Sequence, residues 1–311
     1  MLNQLSVIMY HYVRDTKKSD FKKLKALDIR NFCEQIDYLD KNYNIISGQE
    51  LISYILGEQK TIPPNSCLLT FDDGYKDHID YVLPELVKRN LKACFFPVAS
   101  TIENHDLLDV NAIQLILAKT DNIEELLINL KNEFLKFKLK ELSFDKLWDE
   151  NAIKGKFDSK EIIFIKRMLQ YLLPIQIRRE IIFNLFNHYI KQSSKDIAKK
   201  IYMSKVNLKC LEENGMLIGN HTYSHQWLGH LNIFDQKREI LKALSFIQSI
   251  NPSNQNWFMC YPYGSYNKDT LDILSKANCL AAFTTKSSKI LLKNKKNFFE
   301  LERYDTNDIK N

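Results

Sequence analysis

The six cysteines of this 311-residue chain include no Cys-x-x-Cys pair, and Cys67, Cys94 and Cys260 lie inside apolar, strand-like runs. They read as small buried hydrophobes in a reducing compartment. No stretch approaches the roughly 18 consecutive apolar residues of a membrane span. The amino terminus, Met1 to Tyr12, has neither a basic leader nor a long apolar core. No transmembrane segment and no signal peptide are therefore expected, and the expected address is cytoplasmic. Charge of one sign is also lacking: 44 basic residues against 38 acidic ones leave a net +6 and a pI near 8.8. That balance does not demand nucleic acid, although an anionic substrate or membrane surface is allowed.

What is present is ordinary for a globular protein, with 45% hydrophobic and 26% charged residues. The length suits one large α/β domain with an insertion, or two domains. A strand is expected at Leu5–Tyr10, ending at His11, followed by a lysine-rich loop over Arg14–Leu27. A helix over Arg30–Asn42 follows from the spacing of Phe32, Ile36 and Leu39. Asn44–Ile46 is a short strand, and Ser47 with Glu50 forms a capping-box pattern for a helix that Gly57 ends. A strand at Cys67, a helix over Tyr75–Arg89 and a strand over Lys92–Ala99 complete an alternation that implies parallel strands with crossover helices.

From about Asp106 to Asn214 that rhythm stops. Helical patterns run over Val110–Ala118, Ile123–Phe137, Lys160–Leu172 and Gln176–Ile190. Gly155 is the only glycine before Gly215, and there is no internal repeat. This is a helical insertion the size of a small domain. Strands return at Met216–Asn220, Trp257–Cys260 and Leu280–Thr284, with helices over Asp235–Ile250 and Lys268–Ala277 and a polar turn region over Lys286–Lys296. The expected division is a core of 1–105 and 215–311, with 106–214 inserted.

Chemistry concentrates at strand ends. Cys67-Leu68-Leu69-Thr70-Phe71 runs into Asp72-Asp73-Gly74, and two adjacent carboxylates there are costly without a nearby cation. A metal ion is the simplest compensation; an ordinary Asp-Gly turn with solvated or capping aspartates is the other reading. His221 and His225, four residues apart after the strand at Met216, can share one ion, or stand as incidental surface or cap residues. Together with Asp73 they make a two-histidine, one-carboxylate set with open positions, as in catalytic metal sites, which leaves Asp72 to act as base. The third cluster is Tyr261-Pro262-Tyr263-Gly264. In a parallel sheet or barrel such ends converge on one face.

Thr70-Phe71-Asp72-Asp73-Gly74-Tyr75, His221-Thr222-Tyr223-Ser224-His225 and Tyr261-Pro262-Tyr263-Gly264 resemble, in order, the first three motifs of the polysaccharide deacetylase family (carbohydrate esterase family 4). Met9-Tyr10-His11-Tyr12-Val13 is similar to a stretch in some of its branches. The resemblance covers about 1–100 and 215–285. It implies an α/β fold, a distorted (β/α) barrel here carrying a large all-helical insertion. It implies removal of N-acetyl groups from amino sugars, with Asp73, His221 and His225 binding a divalent metal, usually Zn2+. It makes Asp72 the general base, Thr222 a brace for the histidine loop and the Tyr263 N–H an oxyanion donor.

Two family features are missing. No histidine follows His230, so the usual carboxy-terminal general acid has no counterpart, and Cys260 occupies the place of the arginine that holds the catalytic aspartate. His11 can reach the same face as a substrate-binding residue, or be satisfied by neighbouring backbone. Arg303 can replace the missing arginine, or pair with Asp305 at the surface. His78 reads as a helix-face residue; His105, His188 and His230 read as structural or surface residues. With a cytoplasmic address, the expected substrate is an N-acetylated sugar on a nucleotide- or lipid-linked precursor of surface polysaccharide. The alternative is a non-catalytic scaffold whose insertion binds a partner or a membrane surface.

Overall fold

A computed structural model describes residues 4–18, 20–155, 158–252, 255–292 and 298–309. They form two compact units, one of residues 1–16, 26–106 and 198–311 and the other of residues 17–25 and 107–197. The stretch 198–214, which the sequence groups with the insertion, thus packs in the first unit, and part of the lysine-rich loop packs in the second.

The first unit is an α/β layer built on strands that pair in parallel, except that β10 runs antiparallel to β1. In chain order they are β1 (Gln4–Tyr10), β2 (Val13–Arg14), β3 (Leu27–Asp28), β4 (Asn44–Ile46), β5 (Ser66–Asp73), β6 (Cys94–Pro97), β7 (Leu217–Ile218), β8 (Trp257–Cys260), β9 (Cys279–Phe283), β10 (Ile290–Leu291) and β11 (Tyr304–Asp305). The main sheet runs β10-β1-β5-β6-β7, with β11 parallel to β1 and β4 parallel to the start of β5. On one side of the pair β8-β9, Met259 bridges to Asn220, two residues past β7; on the other, Phe283 bridges to Leu301, ahead of β11. The ring of strands is therefore a distorted barrel whose ladder is interrupted at two places.

Period-two alternation sorts the side chains of β5. Cys67, Leu69 and Phe71 pack outward under helices, with Phe32, Ile36 and Leu39 of Ile29–Asn42 and with Ala243, Phe246 and Ile247 of Ile233–Ile250. Leu68 points to the interior beside Leu5, Val7, Phe96, Phe258, Cys260 and Phe283. Thr70 and Asp72 share the parity of Leu68, so the fold aims Asp72 into the barrel. The capping box of Ser47 and Glu50 is present on Gly48–Ile55.

Several boundaries differ from expectation for identifiable reasons. The helix expected from Tyr75 starts only at His78, as a π-turn over His78–Val82 followed by Leu83–Lys88. Asp73 and Gly74 are both left-handed, with φ of 69° and 74°, and Tyr75 is held by an antiparallel bridge to Tyr202. A Cβ on Gly74 would lie 2.8 Å from the Pro97 ring. β10 falls inside the expected polar turn region Lys286–Lys296, whose residues 293–296 lie outside the described residues.

The second unit is helical: Asp109–Lys119, Ile123–Lys136, Phe144–Asn151, Lys160–Arg167 with a π-turn over Met168–Leu172, and Ile175–Ile190. The helix Phe144–Asn151 was not expected; Ser143 caps it. Its rings supply the core, Phe144 meeting Phe134 at 5.6 Å and Phe164 at 5.3 Å. Lys25 and Lys166 both pair with Asp158, and Lys23 with Asp121, which ties residues 17–25 to these helices. No helix among the described residues is long and apolar enough to cross a membrane.

Candidate active site

Asp73, His221 and His225 come together. The left-handed backbone at Asp73 turns its carboxylate away from the strand's alternation. Its Oδ1 lies 3.3 Å from His221 Nε2 and 3.3 Å from His225 Nε2, while all three residues are largely enclosed. The other oxygen, Oδ2, accepts a 2.7 Å hydrogen bond from the Tyr75 hydroxyl. Oδ1 is buried and accepts none.

The histidine loop is tightly braced. His221 Nδ1–H donates to the Cys260 carbonyl, 2.8 Å away, so Nε2 is the nitrogen that faces Asp73. Thr222, at φ 63°, accepts from the His225 N–H at 2.9 Å, and its own N–H donates to Asn220 Oδ1. Glu239 takes both the Ser224 N–H and its hydroxyl, each at 2.7 Å. Burial pushes the His225 imidazole down to about 4, so near neutrality it is uncharged and its lone pair is available.

Asp72 is 2% exposed and is gripped from the barrel interior. Arg303, 1% exposed, donates from Nη1 to Oδ1 at 2.9 Å and from Nη2 to Oδ2 at 2.7 Å, a bidentate pair. Its remaining donors reach the Thr284 carbonyl at 2.9 Å and Thr70 Oγ1 at 3.2 Å. Arg303 is therefore no surface partner of Asp305; it holds Asp72, as the arginine expected at position 260 would. The Cys260 thiol itself donates to Asp72 Oδ2 at 3.3 Å. Burial alone would raise the Asp72 carboxyl, but the Arg303 guanidinium outweighs it and holds the group down to about 2.

His11 sits with Nε2 3.9 Å from Asp72 Oδ2 and its side chain 42% exposed. It is the accessible imidazole of the cluster. His78 lies on the buried face of the π-turn it opens, and its Nε2–H donates to the His11 carbonyl at 2.9 Å. Tyr263 adopts φ 59° in the turn Pro262–Gly264, and its ring packs 4.7 Å from His225 and stacks on Trp227 at 4.2 Å and 8°. His230 covers Trp227 at 5.5 Å. Sequence reasoning missed the Tyr75 hydroxyl, Trp227 and Glu239; only Tyr75, directly after the Asp-Asp-Gly turn, offered a signal.

Among the described residues, two groups of side chains have the spacing of a cation site, Asp73-His221-His225 and Asp72-His221-Cys260. In the second, both Asp72 oxygens are already taken by Arg303 and His221 Nδ1 by a carbonyl. In the first, a buried carboxylate oxygen without a hydrogen bond faces two imidazole nitrogens. One hard and two borderline donors with their outer sides fixed fit a divalent ion such as zinc.

The sequence pattern described as polysaccharide deacetylase matches residues 59–129 and 181–282, more than half of the chain. The chain belongs to the polysaccharide deacetylase family. The family's activity is carbohydrate deacetylation. Among solved structures, the fold resembles the Streptococcus pyogenes deacetylase PplD in complex with acetate, with TM-score 0.60 and 16% identity over 98% of this chain and 93% of that one. It also resembles IcaB from Ammonifex degensii, with TM-score 0.57 and 17% identity over 97% and 91%. The de-N-acetylase from Aggregatibacter actinomycetemcomitans gives TM-score 0.56 and 16% identity over 97% and 95%. No curated protein sequence matches the chain.

Proposed function

We propose that the protein is a metal-dependent hydrolase that removes the N-acetyl group from an amino sugar. One observation carries this reading: a buried Asp73 oxygen without a hydrogen bond faces two imidazole nitrogens, beside a second carboxylate held by a bidentate arginine. Asp73, His221 and His225 would hold the ion, with zinc the best fit to the donor set. A divalent cation there supplies Lewis-acid polarisation of the amide carbonyl and a water acidic enough to attack near neutral pH.

The chain's own groups do the rest. Asp72 takes the proton of the attacking water, and Arg303 fixes the carboxylate's orientation and keeps it ionised. The Tyr263 backbone N–H donates to the developing oxyanion. Expulsion of the sugar amine needs a proton, and His11, exposed and adjacent to Asp72, delivers it. His78, bonded to the carbonyl of His11, holds that segment in place. With Arg303 and His11 filling the two functions that Cys260 and the histidine-free carboxy terminus left open, the main motive for a non-catalytic scaffold falls away.

The test is acetate release from N-acetylglucosamine supplied as oligomer, nucleotide-linked sugar and lipid-linked sugar, with added Zn2+ or Co2+. Release from at least one substrate, abolished by chelation and by Asp72→Asn, is expected. Metal-loaded protein that frees no acetate from any of the three would refute the reading.

A further inference from the structure

The metal reading leaves one question that the motifs do not answer: what keeps Asp73 from rotating its carboxylate. A free Asp χ2 is broad, and either oxygen or both can face a neighbour. Here Oδ2 is turned away from the imidazoles and occupied by the Tyr75 hydroxyl at 2.7 Å. Tyr75 is 1% exposed and sits in a stack of aromatic rings. Tyr12 lies against it at 3.8 Å and 20°, and Tyr202 at 5.9 Å and 13°. The Arg14 guanidinium covers Tyr12 at 4.5 Å and is pinned by Asp77 at 2.8 Å.

The backbone fixes the same arrangement. Tyr75 bridges antiparallel to Tyr202, Lys76 N–H donates to the Ile201 carbonyl at 2.7 Å, and Met203 N–H donates to the Gly74 carbonyl at 2.9 Å. The loop that carries Asp73 is thus zipped to residues 201–203, a segment outside all three motifs. We propose that Tyr75 is the positioning residue of the metal site: its hydroxyl holds Asp73 Oδ2 so that Oδ1 alone faces His221 and His225, and Tyr202 and Tyr12 aim the ring. A phenylalanine would stack equally well, so the hydroxyl, and not the ring's bulk, carries the orienting function. Hydrogen bonds to metal-ligating groups commonly govern affinity by 10- to 100-fold.

This inference rests on the metal-site reading, and the test separates the two. Purified metal-free protein is titrated with Zn2+ by calorimetry and with Co2+ by visible absorption, for wild type, Tyr75→Phe and Tyr202→Leu, alongside thermal unfolding of each apo-protein. Wild type is expected to bind one ion. Tyr75→Phe is expected to keep its apo melting temperature within a few degrees while losing about 10- to 100-fold in Zn2+ affinity and changing the Co2+ band shape. Tyr202→Leu, which keeps the hydroxyl and removes the ring behind it, should show a smaller loss in the same direction. Tyr75→Phe binding Zn2+ as tightly as wild type, with an unchanged Co2+ spectrum, overturns the inference. If Tyr75→Phe does not fold, unchanged binding by Tyr202→Leu overturns it instead. Wild type that binds no ion refutes the underlying metal reading.

Discussion

Replacing Arg303 by leucine is the sharpest test of how the barrel interior is built. Arg303 and Asp72 are 1% and 2% exposed, so neither charge can be hydrated once the other is gone. Two charge-assisted hydrogen bonds, at 2.9 and 2.7 Å, join them. Removing one partner of such a pair costs about 3–5 kcal/mol, chiefly from the stranded charge. Arg303→Leu should therefore lose about 3–5 kcal/mol in urea unfolding of the metal-free protein, and Asp72→Asn a smaller amount because an amide still accepts from Arg303. The double variant strands no charge, so its loss should fall short of the sum of the single losses by about 2–3 kcal/mol. Arg303→Lys keeps the charge but not the fork, and should lower kcat about a hundredfold through a misdirected Asp72. A coupling energy within about 0.5 kcal/mol of zero would mean that the two residues act independently and would refute the argument.

Further outcomes follow from other parts of the molecule. His78 is buried with its folded pKa pushed down to about 4, chiefly by desolvation, against 6.5 for the free side chain. Between those values the unfolded chain binds a proton that the folded one refuses, so up to about 3 kcal/mol of stability is lost as pH falls from about 6.5 to 4. In His78→Gln the slope of unfolding free energy against pH in that window should drop by about 1.4 kcal/mol per pH unit, and an unchanged slope would assign the titration elsewhere. Gly219→Ala would put a Cβ 2.3 Å from the Phe96 ring and 3.0 Å from the Phe258 carbonyl. It should cost about 1–3 kcal/mol in urea unfolding, and a neutral result would mean that the barrel relaxes easily there. Trp227 stacks on Tyr263, whose left-handed backbone carries strain of about 1–3 kcal/mol that surrounding contacts must offset. Trp227→Ala should lower kcat about tenfold with the melting temperature little changed and Trp227→Phe restoring most of it; equal kcat in all three would remove the clamp.

Much of the fold was legible because its signals are local. The alternation of strands and helices, the Ser47–Glu50 cap and the apolar stripes of Ile29–Asn42 and Ile233–Ile250 are each written within one or two turns of chain. What escaped was decided at long range. The helix after β5 begins late because residues 74–76 are bonded to residues 201–203, across the whole insertion. The strand expected over Met216–Asn220 is only β7, because Asn220 leaves β6 to exchange hydrogen bonds with Phe258 and Cys260. The helix Lys205–Glu213 begins at a capping box of Ser204 and Asn207, a polar pair that the apolar periodicity does not register.

Arg303 shows the same limit at the site itself. Its partner is 231 residues away, while Asp305 two positions on offers a nearer explanation to anyone reading the chain. Asp305 in fact caps the following turn, accepting from Asn307 N–H. Period-two geometry explains why the distant pairing forms: Thr70 and Asp72 point inward on β5, and the carbonyl of Thr284, just past β9, supplies a third acceptor for a guanidinium entering ahead of β11. A fork with five donors needs such a set of acceptors when it is buried, and few places in the barrel have one. Cys260 then becomes intelligible. Its Sγ lies against the same carboxylate, so a long side chain there would compete with Arg303 for Asp72, whereas a thiol leaves room and adds a weak donor. Cys260→Arg should therefore be tolerated better in an Arg303→Ala background than in the wild type, as judged by soluble yield and urea midpoint. The reverse order would mean that the two positions do not share one space.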